Sequence, residues 1–148
     1  MIIVVMGVSG SGKTTVGSTL ASALKIPFHD ADNFHPQSNI VKMKQGIPLQ
    51  DIDRESWLKT LTNNLAQWEA DKGAVLACSA LKEIYRTVLQ SGVNNDVTWI
   101  YLYGRSELIK ERTAGRRGPA SSSAPAKCAA RGTSSLDRNW AAWPFSGR

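Results

Sequence analysis

The run Gly7-Val8-Ser9-Gly10-Ser11-Gly12-Lys13-Thr14, set between a strand pattern and a helix pattern, constrains this chain more than any other feature. It matches G-x-x-x-x-G-K-[ST] in full, and the spacing has a mechanical reason. Glycines let the backbone wrap around a phosphate with its N–H groups turned inward, and the start of the next helix adds a dipole that favours anions. Lys13 is expected to contact the β- and γ-phosphates of a nucleotide, and the Thr14 hydroxyl to ligand Mg²⁺. The whole segment from Gly7 to Thr15 is the expected phosphate cradle. Upstream, Ile2 to Met6 is an unbroken apolar, β-branched run, as in a parallel strand covered on both faces. Downstream, Val16, Leu20, Ala23 and Leu24 recur at spacings of three and four until Pro27 stops the pattern.

The same alternation continues. Ile26 to His29 predicts a second strand, followed by the polar stretch Asp30-Ala31-Asp32-Asn33-Phe34-His35-Pro36. A short helix runs from Pro36 to Gln45 with Gly46 as its stop. Asp53 caps a longer helix whose Trp57, Leu58, Leu61, Leu65 and Trp68 form one apolar stripe, closing near Lys72-Gly73. Ala74 to Cys78 is a third buried strand. Leu81, Ile84, Tyr85, Val88 and Leu89 mark the next helix, which ends at Gly92. Val97 to Tyr103 is a fourth strand, and Ser106 to Arg112 begins a further helix. Strands alternating with helices predict a three-layer α/β fold with a parallel sheet and right-handed crossovers.

At 148 residues, with 42% hydrophobic and 20% charged content, one globular core is expected. No apolar run reaches the length of a membrane span, and the leading Met-Ile-Ile-Val-Val-Met lacks a basic lead and a cleavage site, so a soluble cytoplasmic protein with no membrane partner is expected. Cys78 and Cys128 form neither a disulfide framework nor metal-ligand spacing, and both read as free thiols. The net charge of +6 is unevenly placed: residues 1–112 carry 12 Lys and Arg against 11 Asp and Glu, while 113–148 carry six against Asp137 alone. Basicity confined to one end, without a nucleic-acid-binding module, gives no reason to expect a nucleic-acid partner. Two regions result, a P-loop domain over 1–112 and a basic, low-complexity tail over 113–148. The tail shows no strand or helix pattern and is expected to be poorly ordered.

A phosphate loop alone does not choose between phosphotransfer, hydrolysis driving motion, and switching. The chain's size and the lack of an Asn-Lys-x-Asp element favour a small-molecule or nucleotide kinase. Asp30 and Asp32 follow the second strand at the end that opens toward a ligand crevice in a parallel sheet. Asp32 is the candidate to accept or hold a substrate hydroxyl proton, with capping of the turn as its alternative role.

Beyond these separate signals, longer stretches carry a resemblance. Met6 to Thr14, Asp30 to Pro36 and Asn39-Ile40-Val41-Lys42-Met43-Lys44-Gln45-Gly46-Ile47-Pro48-Leu49 are similar to the gluconokinases. So are Asp51-Ile52-Asp53-Arg54 with Trp57-Leu58, and Cys78-Ser79-Ala80-Leu81-Lys82 with Tyr85-Arg86. The resemblance covers roughly three quarters of the chain. It implies a fold like that of nucleoside monophosphate and shikimate kinases, and transfer of the ATP γ-phosphate to the 6-hydroxyl of D-gluconate, with Mg²⁺ as cofactor and a homodimer by analogy. A sugar acid offers one carboxylate and several hydroxyls, so the acceptor site calls for cationic and polar groups. Arg54 is the first candidate for the carboxylate, then Lys82 and Arg86; the alternatives are helix ion pairs for Arg54 and a solvated helix face for the other two. His35 either touches substrate or holds the loop before Pro36. Ser79 and Ala80 end the third strand beside the crevice.

The resemblance stops near Arg112. Members of that family continue with an arginine-bearing lid, a fifth parallel strand and a final helix. Here Thr113-Ala114-Gly115-Arg116-Arg117-Gly118 and unrelated sequence follow, with Arg116 or Arg117 near the expected lid position. So abrupt a change inside an element suggests a frameshift or altered splice junction, and leaves open an ATP-binding product without efficient catalysis, or another small-molecule kinase of the same fold.

Overall fold

The computed structural model describes residues 1–103, Glu111 and the backbone of 127–131. Its centre is a five-stranded sheet in the order β2-β3-β1-β4-β5. The strands are β1 (Ile2–Met6), β2 (Phe28–Asp30), β3 (Ala74–Cys78), β4 (Thr98–Tyr103) and β5 (Lys127–Arg131). The first four are mutually parallel; β1 pairs with β3 from Ile2 opposite Ala74 to Met6 opposite Cys78, and with β4 from Ile3 opposite Thr98 to Met6 opposite Tyr101. Every residue of β1 and β3 is buried, which explains why both read as continuous apolar runs rather than alternating ones.

The pleat divides those runs between two cores. Ile2, Val4, Met6, Leu76 and Cys78 face helices α3 (Asp51–Ala70) and α4 (Glu83–Gln90), against Trp57, Leu58, Leu61, Leu65, Tyr85 and Leu89. Ile3, Val5, Val75, Ile100 and Leu102 face the opposite side, against Val16, Leu20 and Ala21 of α1 (Lys13–Leu24). Gly17 lets α1 approach β2 closely: a Cβ there would meet the Phe28 ring at 2.7 Å. A 3₁₀ turn (Ala31–Phe34) and α2 (Gln37–Lys44) connect β2 to α3. Among the described residues, no helix is long and apolar enough to cross a membrane.

Several expectations change in detail. Ala23 and Leu24 are exposed, because the buried face of α1 runs through Gly17 and Ala21. Asp53 is not the cap of α3; the helix starts at Asp51, and the Asp53 carboxylate reaches back to accept the backbone N–H of Gln50 at 3.0 Å. Leu81 lies before α4 and Ile84 on its outer face, 46% and 63% exposed, so the buried stripe of that helix is Tyr85 and Leu89 with Val88 partly covered. No strand was expected beyond Arg112, yet Lys127–Arg131 pairs antiparallel with β4, from Trp99 opposite Arg131 to Tyr103 opposite Lys127. The unpaired edge of a parallel strand accepts either direction of partner, which local composition does not reveal. The helix expected from Ser106 to Arg112 and the lid candidates Arg116 and Arg117 lie outside the described residues, apart from a helical Glu111.

Candidate active site

The phosphate loop leaves the C-terminal end of β1, the end where β3 and β4 also open. Gly7 is required there by contact: a Cβ would stand 2.6 Å from the Leu102 carbonyl oxygen and 2.8 Å from Ser11 Oγ. Gly12, with φ 93°, takes the left-handed conformation that turns the loop into α1 at Lys13. The Lys13 ammonium donates to the Val8 carbonyl at 3.0 Å and so lies across the loop it serves.

Thr14 Oγ1 donates to Asp30 Oδ2 at 3.1 Å, and Asp30 Oδ1 accepts the backbone N–H of Asp32, also at 3.1 Å. Asp30 therefore caps the 3₁₀ turn and reaches the phosphate loop at once. The capping role open to Asp32 in the sequence falls to Asp30, and the exposed Asp32 carboxylate has no hydrogen-bond partner among the described residues. No three His, Cys, Asp or Glu side chains converge into a metal cage among the described residues. A hydroxyl and a carboxylate from two elements beside a phosphate loop nevertheless suit Mg²⁺, which takes few protein oxygens and fills its octahedron from phosphate and water.

A cleft of about 460 Å³ extends from this point, a volume suited to a small molecule. Lys13, Asp30, Asp32, His35 and Arg54 supply its polar wall; Met43, Ile47, Pro48, Leu49 and Trp57 supply an apolar one; Ala77 to Ser79 form part of its floor. Arg54 is aimed by three contacts: it donates to the Leu49 carbonyl at 2.8 Å and to the Tyr85 hydroxyl at 3.4 Å, and stands 3.7 Å from Asp51. Its planar fork of five N–H donors leaves capacity for a ligand carboxylate. Trp57, one turn further along α3, donates through Nε1 to the Ala31 carbonyl at 2.8 Å while its indole stacks on His35.

Lys82 and Arg86 do not line the cleft. Lys82 donates to both carboxylate oxygens of Asp51 at 2.7 Å on the surface, where the bond holds the Asp51 carboxyl below its ordinary range and the Lys82 ammonium above its own. Arg86 donates to the carbonyls of Ala80 and Leu81 at 3.0 and 2.8 Å, and burial lowers its pKa. It braces the turn after β3, where Ala80 takes a left-handed φ of 34°, and so holds the loop that carries Ser79 into the cleft. Asp51 and Tyr85 are not legible as site residues in the sequence, because a separation of 34 positions hides a hydrogen bond that only folding makes. Cys78 is a packing residue: burial pushes its thiol up to about 12, far from the thiolate a nucleophile needs.

The sequence model of the family described as Shikimate kinase matches residues 9–136. A protein named "Probable gluconokinase" from Dictyostelium discoideum is 44% identical over 79% of this chain and 62% of its own length. "Thermoresistant gluconokinase" of Escherichia coli K12 is likewise 44% identical, over 79% of this chain and 67% of its own. The crystal structure of a gluconokinase from Sinorhizobium meliloti superposes with a TM-score of 0.70 at 43% identity, covering 77% of this chain and 63% of that one. The chain thus spans about two thirds of the length of the relatives it matches. Identity this high across some four fifths of the chain exceeds what a shared fold alone produces: the chain belongs to the gluconokinase family, within the wider group that the shikimate kinase model describes.

Proposed function

We propose that this protein transfers the γ-phosphate of ATP to the 6-hydroxyl of D-gluconate, giving 6-phospho-D-gluconate and ADP. The observation that carries this reading is a single cleft in which the phosphate-loop Lys13, the open carboxylate of Asp32 and the braced guanidinium of Arg54 all take part. In this reading Lys13 and the loop amides from Gly7 to Thr15 neutralise the triphosphate, and Thr14 with Asp30 holds Mg²⁺, directly or through water. The metal, when bound, draws charge from the β- and γ-phosphates. Asp32 takes the proton of the attacking hydroxyl. Arg54 pairs with the sugar-acid carboxylate, and the apolar wall from Met43 to Leu49 packs on its carbon chain. Ser79 contributes a small polar side chain at the floor, while Lys82 and Arg86 act on the site through Asp51 and the Ala80 turn.

Antiparallel β5, where the resembled family carries a parallel strand, supports a second reading: an ATP-binding protein without efficient transfer. A coupled ADP-release assay with gluconate, run beside calorimetry of ATP binding, separates the two. Gluconate-dependent turnover, absent with shikimate or nucleoside monophosphates, is the expected result. ATP binding without gluconate-dependent turnover would sink the kinase reading for this chain.

A further inference from the structure

Asn39 is only 2% exposed, yet it places a carboxamide on the inner side of α2. A buried amide is tolerated where its polar atoms are partnered. One terminal atom of this amide stands 2.7 Å from the backbone carbonyl of Asp53 and 3.3 Å from Nδ1 of His35. A carbonyl oxygen can only accept, so the atom facing Asp53 is the NH₂ group, and the amide has one allowed orientation. The consequence passes to His35. Its Nδ1 faces an N–H donor and must be the bare, accepting nitrogen, which leaves the proton of the neutral ring on Nε2.

The ring has little freedom to escape this arrangement. It lies on the Trp57 indole with centroids 4.5 Å apart and planes 10° from parallel. Nδ1 is committed to α2, while His35 lines the cleft beside Asp32 and Arg54 and its Nε2 has no partner among the described residues. Burial lowers the pKa of His35; of the charged groups facing it, Asp32 pulls it up and Arg54 pushes it down, and the balance favours the neutral ring. Adding a proton at Nδ1 would set two donors against each other.

We propose that Asn39 is a positioning residue that locks His35 in its Nε2–H tautomer, so that His35 serves the cleft as a neutral hydrogen-bond donor to an oxygen of the acceptor and not as a base. The identity of that oxygen rests on the gluconate reading; the lock is a property of the free chain. The division of labour follows: Asp32 is the group in this cleft able to receive the hydroxyl proton, and His35 orients an acceptor hydroxyl or carboxylate oxygen.

The chain has two histidines, His29 and His35, so the H35Q variant assigns their ring signals by subtraction. Long-range ¹H–¹⁵N spectra of the full, ligand-free chain at pH 8 are expected to show His35 protonated at Nε2 and bare at Nδ1. N39L, which deletes the donor without adding charge, is expected to mix the two tautomers. A proton on Nδ1 in the wild type, or an unchanged pattern in folded N39L, overturns the lock. Should N39L fail to fold, two His35 variants carry the test, since a glutamine amide reaches the Nε2 position and an asparagine amide only the Nδ1 position. Calorimetric gluconate affinity in the presence of a non-hydrolysable ATP analogue is expected to fall about tenfold in H35N and to stay within about threefold in H35Q. Equal losses in both overturn the donor role. Wild-type chain that shows the expected tautomer but binds no gluconate supports the lock and removes the gluconate reading, so the two failures remain distinguishable.

Discussion

Thr14 and Asp30, sixteen positions apart in the chain, meet through a 3.1 Å hydrogen bond that links the first turn of α1 to the end of β2. The pair presents a hydroxyl and a carboxylate to the same point beside the phosphate loop. If that point receives Mg²⁺, Asp30→Asn keeps the shape and removes the charge the ion needs. ATP affinity measured with Mg²⁺ is expected to weaken about tenfold or more, while affinity in EDTA stays within about twofold. Equal loss under both conditions would assign Asp30 to packing instead.

The surface bond between Lys82 and Asp51 makes stability depend on pH with a definite sign. Hydrogen bonds from Lys82 and then Tyr85 lower the Asp51 pKa from its ordinary 3.8, so this contribution is complete above that value and is lost as pH falls through the lower, folded one. Lys82 shifts the other way, above 10.5, so its contribution is complete below 10.5 and is lost as pH rises through the folded value. Asp51→Asn is therefore expected to flatten the acid limb of urea-unfolding midpoints measured between pH 2 and 7. Because the pair is exposed, 0.5 M salt is expected to shrink the difference between wild type and variant.

Trp57 combines a stacking face with a buried donor. Trp57→Phe keeps an aromatic surface against His35 but removes the indole donor to the Ala31 carbonyl at the start of the 3₁₀ turn. The expected cost is about 1–3 kcal/mol in urea unfolding, from a lost buried hydrogen bond with some lost packing. A change below about 0.5 kcal/mol would mean that the turn's own backbone donors suffice for this carbonyl.

Gly17 and Phe28 form a contact whose energetics are separable. Gly17→Ala drives a methyl to within 2.7 Å of the Phe28 ring and is expected to destabilise by about 1–3 kcal/mol, despite alanine's better helix propensity. Phe28→Leu in the same background should recover part of that loss. A double-mutant cycle with coupling near zero would show that α1 shifts on β2 instead of clashing with it.

The Cys78 thiol, pushed up to about 12 and only 1% exposed at the cleft floor, should react with a disulfide reagent far more slowly than an exposed thiol. A Cys128→Ser variant leaves Cys78 as the remaining thiol for that measurement. Rapid, stoichiometric labelling of the folded chain would contradict its packing role.

From its own residues the sequence determined the architecture from Ile2 to Tyr103 and the place of the phosphate loop. Both are local: unbroken apolar runs mark strands covered on two faces, three-and-four spacing marks helices, and the Gly7 to Thr14 pattern needs only its immediate flanks to be read. The roles of the polar side chains were decided by the tertiary structure, because each depends on a partner far along the chain. Asp30 and Asp32 look alike in a seven-residue polar stretch until Thr14 claims one and leaves the other open. Arg54, Lys82 and Arg86 are all cationic candidates in a string, with Arg54 ranked first; folding separates their roles, since Asp51 holds Lys82 on the surface, two carbonyls hold Arg86 at the Ala80 turn, and Arg54 is left lining the cleft. The proton of His35 depends on Asn39 four residues away and on the Asp53 carbonyl fourteen beyond that. The direction of β5 belongs in the same class, since a free sheet edge and not the segment's own composition sets how it pairs. Secondary structure follows from near neighbours; charge, tautomer and strand direction follow from whatever the fold brings within three ångströms or so.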